Sequence, residues 1–277
     1  MDPARIGIVK FLNTVPLVDG LEKTAGLTLV PAAPSHLAGM LERGEVDIAL
    51  VSTIDAAESK VPLSLLSCGM IGSDGPTLTV RLFSSIPISQ ITTLHADADS
   101  HTSITLARLV LRKAFNKSVT IAPFNARELA DPASIDWPQA VLLIGDKVVN
   151  SSPPAVRCPY QLDLGEEWKK LTGLPFVYAL WMCRTQDLAE PARREKILLA
   201  QALLDRQLRH NLTRIDRIIQ DRAPAFRWPI DLARRYLGEL LRYRVGPTEK
   251  QAVTRFLEEA AIADILDTAR ATNIHWA

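Results

Sequence analysis

RIGIVKFLNTVPLVDGL, residues 5–21, decides how the rest of the chain is read. RIGIVKFL (5–12) is an apolar run of strand length, and VPLVDGLEKT (15–24) opens a helix. A continuous apolar strand running straight into a helix is the start of a βαβ unit in a parallel sheet buried on both faces. Asn13 and Thr14 stand on the corner between the two elements. Small polar residues there either cap the helix or face a ligand, and the stretch alone leaves both readings open.

The pattern repeats outward. LTLVPA (27–32), VDIALVS (46–52), LSLLSCGMIGS (63–73) and TLTVRLFSS (77–85) read as strands, and PSHLAGMLERGE (34–45) as a helix with Leu37, Met40 and Leu41 on one face. A second block follows: strand ITTLHAD (91–97), helix HTSITLARLVLRKAFN (101–116), strand SVTIAPF (118–124), and strand AVLLI inside WPQAVLLIGDKVV (137–149). From 186 onward the chain is helical, through TRIDRIIQDRA (213–223), PIDLARRYLGELLRYRV (229–245) and PTEKQAVTRFLEEAAIADIL (247–266). Alternating strands and helices predict an α/β fold. At about 150 residues per domain the length predicts two units. We place lobe one at 1–85 plus 186–277 and lobe two at 86–185, with a central cleft between them. SSIPISQ (84–90) would carry the chain across, and it would return near 184–190.

Bulk numbers exclude several functions. Net charge is +1 from 32 basic and 31 acidic residues, so no basic footprint for nucleic acid is present, and the Arg/Glu-rich helices read as solvated faces. No window reaches the ~18 apolar residues of a membrane span. The first residues show no basic-then-apolar leader, and Cys68, Cys158 and Cys183 form neither a disulfide framework nor a metal pair. A cytoplasmic protein with buried thiols is expected. Nucleotide-binding loops, HExxH and GxSxG are missing. His36, His95, His101, His210 and His275 make no pair at metal-ligand spacing, and only His101 lies at a polar corner. Lys10 and Arg81 could meet a carboxylate but also read as surface residues.

Polar corners gather where strands hand over to helices: Asn13 and Thr14; Ser52 and Thr53; Ser73 in the turn GSDGP (72–76); Ser100, Thr102 and Ser103; and Asp146. In open parallel sheets ligands bind beyond the carboxyl ends of strands, where helix N-termini favour anions. Each corner also suits plain capping. Together they describe a cleft of neutral hydroxyl, amide and backbone donors, suited to a small carboxylate.

RIGIVKFLNTVPLVDGL resembles the N-terminal signature of the chorismate dehydratases of the futalosine route to menaquinone. VDIALVSTID (46–55), SDGPTLTVRLFSS (73–85), DSHTSITLARLVLR (99–112), LLIGDKV (142–148), DLGEEWKKLTGLPFVYALW (163–181) and YLGELLRYRVGPTEKQAVTRF (236–256) resemble family segments in order. The resemblance implies a two-lobed, type II periplasmic-binding-protein-like fold. It implies conversion of chorismate to 3-[(1-carboxyvinyl)oxy]benzoate and water without metal, flavin or nucleotide. It makes Asn13 the catalytic residue, assisting a proton transfer to the substrate's own enolpyruvyl carboxylate. Ser52, Thr53, Ser73, Thr102 and Ser103 would hold the carboxylates and ring hydroxyl. Thr14 would cap the helix at Val15-Pro16, and Asp146 its own helix, since a carboxylate facing a dianion is repelled.

The sequence departs from the family at Ser52-Thr53, where Pro-Ser is frequent, at Asp55-Ala56, where an acidic residue and an aromatic are usual, and at Lys10, usually small. The same scaffold serves non-catalytic solute-binding proteins, which are usually exported. It also serves the dihydroxynaphthoate synthase of the pathway, whose catalytic His sits in an IHE-type turn; this chain has Ile144-Gly145-Asp146 there.

Overall fold

The computed structural model of the chain describes residues 2–97, 101–124, 136–272 and 274–277. The chain opens with β1 (Ala4–Ile8), α1 (Val15–Val18), β2 (Leu27–Pro31), α2 (Pro34–Glu42), β3 (Ile48–Ser52), α3 (Asp55–Glu58) and β4 (Leu63–Ser73). β1 pairs in parallel with both β2 and β3, as the buried apolar runs predict. The first helix is shorter than its expected span of 15–24, because Gly20 at φ +86° turns the chain out of it.

A second group follows: β5 (Val80–Ser84), β6 (Thr93–Ala96), α4 (His101–Phe115), β7 (Thr120–Pro123), β8 (Ala140–Ile144), α5 (Asp146–Asn150), β9 (Tyr160–Asp163) and α6 (Leu164–Thr172). Then comes β10 (Phe176–Arg184), followed by α7 (Pro191–Thr213), α8 (Ile215–Arg222), α9 (Ile230–Arg234), β11 (Leu241–Arg242), α10 (Pro247–Ile262), α11 (Thr268–Thr272) and β12 (His275–Trp276). The stretch 229–245, expected as one helix, breaks. After α9 a wide π-type turn, Arg235–Leu240, releases β11 to pair with the end of β4.

The strands form two sheets. One has the order β11-β4-β10-β3-β1-β2, with β12 also on β4; the other has the order β7-β6-β8-β5-β9. Sheet membership corrects the expected crossings at 84–90 and 184–190. β5, read with the first block, lies in the second sheet, and β10 lies in the first, between β3 and β4. The chain therefore crosses between β4 and β5, where Gly75 (φ +116°) and Leu78 (φ +71°) bend it away from a hairpin. It returns between α6 and β10.

One core runs through both units. Leu37 and Val51 of the first join Leu82, Leu106 and Leu142 of the second in a single buried cluster. Its centre is aromatic. Trp168 of α6 meets Phe176 of β10 edge-on at 5.3 Å and Phe256 of α10 at 6.1 Å, and Phe176 also meets Tyr178 at 4.7 Å. Trp168 Nε1 donates to Pro175 O at 3.0 Å, so its polar edge is satisfied inside the core. On its far side the first sheet packs Ile6, Ile48 and Trp181 against Ile197, Leu204 and Leu208 of α7.

Candidate functional site

Between the two sheets lies a cavity of about 680 Å3, its open mouth included. Its floor is the carboxyl ends of β1 and β3, where Asn13 and Ser52 line it, as the switch-point argument predicts. The opposite wall brings Thr102 and Ser103 from the first turn of α4, and Ile144 and Gly145 from the end of β8. α4 runs for 15 residues, so its first turn brings the positive end of a long helix dipole to this wall. Among the described residues, every side chain lining the cavity is uncharged.

Asn13, Ser52, Thr102 and Ser103 are therefore brought together, while two other expected contacts are not. Thr53 is wholly buried behind the wall; its hydroxyl donates to Val177 O at 2.7 Å and its N–H to Tyr178 O at 3.0 Å. It ties β3 to β10 and is absent from the lining. Ser73 is also wholly buried, and its hydroxyl donates to Gly75 O at 3.1 Å. It then accepts from Thr77 at 2.9 Å, and Thr77 accepts from Tyr178 at 2.5 Å, so this chain of hydroxyls ends inside the protein. Ser100 lies outside the described residues.

The capping assignments also change. Thr14 sits at the N-cap of α1, but its hydroxyl turns back to Val9 O and Phe11 O, both at 2.8 Å. Asp146 makes no cap bond to α5. It reaches from the second unit to the first, where Oδ2 accepts from Leu12 N–H at 3.4 Å and Oδ1 from Trp228 Nε1 at 2.9 Å. Burial pushes its carboxyl up from the ordinary value, with those two hydrogen bonds opposing the shift. His101 faces Asp55 at 2.8 Å across the same junction, outside the cavity lining. Lys10 is exposed, and Arg81 lies 3.6 Å from Asp163.

Four polar residues on the cavity were missed by sequence reasoning: Thr77, Thr79, Tyr178 and Tyr236. Thr77 is held by Asp163, the N-cap of α6, and Thr79 Oγ1 lies 2.5 Å from the Tyr236 hydroxyl. The Asp163 carboxylate accepts from Thr77 N at 2.9 Å, Leu78 N at 2.7 Å and Gly165 N at 3.1 Å. The alternation of TLTV, two hydroxyls on one face of an apolar run, was the available signal. Burial pushes the phenols of Tyr178 and Tyr236 well above their ordinary values, so both remain neutral hydrogen-bonding groups at neutral pH. Among the described residues no group of three or more His, Cys, Asp or Glu is placed to hold a metal ion, and no helix is long and apolar enough to cross a membrane.

Comparison with known proteins fits this geometry. Residues 4–262 match the family described as menaquinone biosynthesis. A curated chorismate dehydratase from Thermus thermophilus is 26% identical over 272 residues, covering 93% of this chain and 95% of that protein. Among solved structures, a protein from Archaeoglobus fulgidus superposes with a TM-score of 0.69 at 15% identity, covering 95% of this chain and 98% of that one. The alkanesulfonate-binding protein of Xanthomonas axonopodis pv. citri, bound to MOPS, gives 0.65 at 14% identity with both chains fully covered. A Candida albicans protein described as having the generic periplasmic-binding-protein fold gives 0.69 at 12% identity, covering 99% of this chain and 94% of that one. The fold is thus periplasmic-binding-protein-like.

Proposed function

The chain belongs to the menaquinone-biosynthesis family, and from that premise we propose that it is the chorismate dehydratase of the futalosine route. The substrate would be chorismate and the products 3-[(1-carboxyvinyl)oxy]benzoate and water. The observation that carries this reading is the uncharged cavity, largely apolar but with the Ser52, Thr102 and Ser103 hydroxyls on its walls, at the first turn of α4, with Asn13 on its floor. Neutral donors and a helix N-terminus suit two carboxylates. Gly145 supports the choice within the family: at φ +61° a Cβ would meet only Phe11, at 3.9 Å, so the wall is open where the naphthoate synthase carries its His.

The reaction removes the proton from the ring carbon bearing the enolpyruvyl ether. That C–H pair becomes ring π density, the neighbouring C–OH bond breaks, and the hydroxyl leaves with a proton as water. Aromatisation supplies the driving force, so the protein has to orient the substrate and stabilise developing charge. Asn13 is an amide and a poor base; its part is to hold a reacting group by hydrogen bonding, with the substrate's carboxylate taking the proton. Ser52, Thr102 and Ser103 would hold the substrate's oxygens. Thr53 and Ser73 would act only by shaping the wall. A cytoplasmic setting fits the three buried free thiols, Cys68, Cys158 and Cys183.

The second reading, a non-catalytic carboxylate-binding protein, draws on the fold shared with solute-binding proteins. Purified protein is mixed with chorismate, and product is followed by mass and ultraviolet absorbance. Product well above the spontaneous background is expected. Tight binding with no product would establish the second reading instead.

A further inference from the structure

α7 is 23 residues long, and only one of its sides is packed. Ile197, Ala200, Leu204 and Leu208 are buried against the first sheet. At 100° per residue, Glu195, Leu198, Leu199, Ala202 and Arg206 fall on the opposite side, at spacings i, i+3, i+4, i+7 and i+11. All five are exposed. Leu198 is 47% exposed and Leu199 53%, and a groove beside them continues to Leu188, Ala189 and Pro191. A helix side that meets only water carries polar residues along its length, whereas this one is apolar at its centre and charged at its two ends.

Those end charges are uncommitted. Arg193, Lys196 and Arg209 of the same helix each pair with a carboxylate of their own chain. Among the described residues Glu195 and Arg206 make no ion pair. They lie about 16 Å apart along the helix axis. Both are equally far from the midpoint between Leu199 and Ala202, one on each side. A two-fold axis through that midpoint, perpendicular to α7, lays two copies of the helix antiparallel. Leu199 of each then meets Ala202 of the other, and Glu195 of each meets Arg206 of the other. Other arrangements oppose like charges: parallel pairing sets Glu195 on Glu195, and a one-residue slip sets Glu195 on Asp205 and Arg194 on Arg206.

We propose that the outer side of α7 is a docking surface for a second copy of this chain, bound antiparallel about that axis. Leucine set against alanine supplies the apolar contact. The two Glu195–Arg206 pairs set the register, since exposed ion pairs add specificity more than affinity. Five exposed side chains per copy fall short of the roughly 20–30 residues a side of a standard interface, so the dimer is a weak one, with a Kd on the order of 10–100 μM. No residue of α7 lines the cavity, and the assignment stands apart from the dehydratase reading.

The test is sedimentation velocity on the full chain over about 1–300 μM, a range that brackets the expected Kd. Wild type should pass from one chain to two as concentration rises. Leu199→Glu, at an exposed position, should raise the Kd at least about tenfold, with circular dichroism and thermal unfolding close to wild type. Glu195→Arg and Arg206→Glu should each raise it roughly fivefold, because either change turns both symmetry-related pairs repulsive. Mixed in equal amounts, these two variants should associate about as well as wild type, since both contacts of the mixed dimer are matched again. That recovery is peculiar to the antiparallel two-fold arrangement. A wild type that stays a single chain throughout overturns the assignment. So does a dimer indifferent to Leu199→Glu, or a mixture of the two charge variants that associates no better than either alone.

Discussion

Asn13 lines the cavity floor, and its Oδ1 is buried with no hydrogen-bonding partner among the described residues. With the dehydratase function proposed above, Asn13→Ala should reduce turnover at least ~10²-fold, the usual scale for a positioned polar group, while leaving the fold intact. Steady-state rates with circular dichroism check this, and near-normal turnover would remove Asn13 from the chemistry. The neighbouring residues explain how far such a site could be read. Asn13, Ser52, Thr102 and Ser103 were legible because each sits where a strand or helix ends, and the parallel fold gathers those ends. Ser52 and Thr53 have nearly the same chemistry and the same corner. Successive side chains of an extended segment point to opposite sides, so one faces the cavity and the other ties β3 to β10. Composition cannot choose between them; register can. Tyr178 and Tyr236 carried no local signal, since only the pairing of β10 and the turn before β11 bring them to Asn13.

At the scale of elements, the crossing from β4 to β5 is held by α6. Asp163 gathers the N–H groups of Thr77, Leu78 and Gly165 on one carboxylate, which steadies Leu78 at φ +71°. Gly165 packs onto the same turn so closely that a Cβ would lie 2.6 Å from Gly75 O and 2.8 Å from Ser73 Oγ, and would collide with Thr77 Oγ1. Backbone on one side and the hydroxyl chain on the other leave little room to relax. Gly165→Ala should therefore destabilise by about 1–3 kcal/mol, as overpacking does, and weaken the Tyr178–Thr77 bond. Urea unfolding reads this directly; an unchanged midpoint would show that the crossing yields. The strands and long helices around this turn were legible as elements, because buried apolar runs and one-sided helices follow from local periodicity. The break of 229–245 was not, because β11 exists only through its bonds to Gly72 and Ser73 of β4.

Across the whole molecule, bonds between the two units recur on several sides of the cavity. Thr102 accepts from Ile54 N–H at 3.1 Å, Arg112 donates to Ala263 O at 2.6 Å, and Lys113 pairs with Glu259. Asp146 is the one that titrates usefully. Its folded-state pKa is raised above the ordinary 3.8 by burial, so the protonated form is favoured on folding. Its contribution to stability is then fully present below 3.8 and is lost as pH rises through the raised value. Asp146→Asn loses one acceptor at every pH, a constant offset. The pH-dependent part should favour the wild type increasingly as pH falls toward 3.8, and thermal melts of both proteins across the acid range will show it. A difference that stays flat with pH would mean that Asp146 is not perturbed by its place between the units.

The placement of β10 between β3 and β4 also fixes an order of events during synthesis. The second sheet is complete once Asp163 has been made, and it needs nothing later in the chain for its strands. The first sheet cannot close then: β3 and β4 wait with bare ladder edges until Phe176–Arg184 emerges to fill the gap. Unpaired apolar edges of this kind invite pairing with other chains. A nascent chain stalled between β9 and β10 is thus a finished second half attached to an open, aggregation-prone first half, and insertion of β10 is the step that commits the protein to its fold.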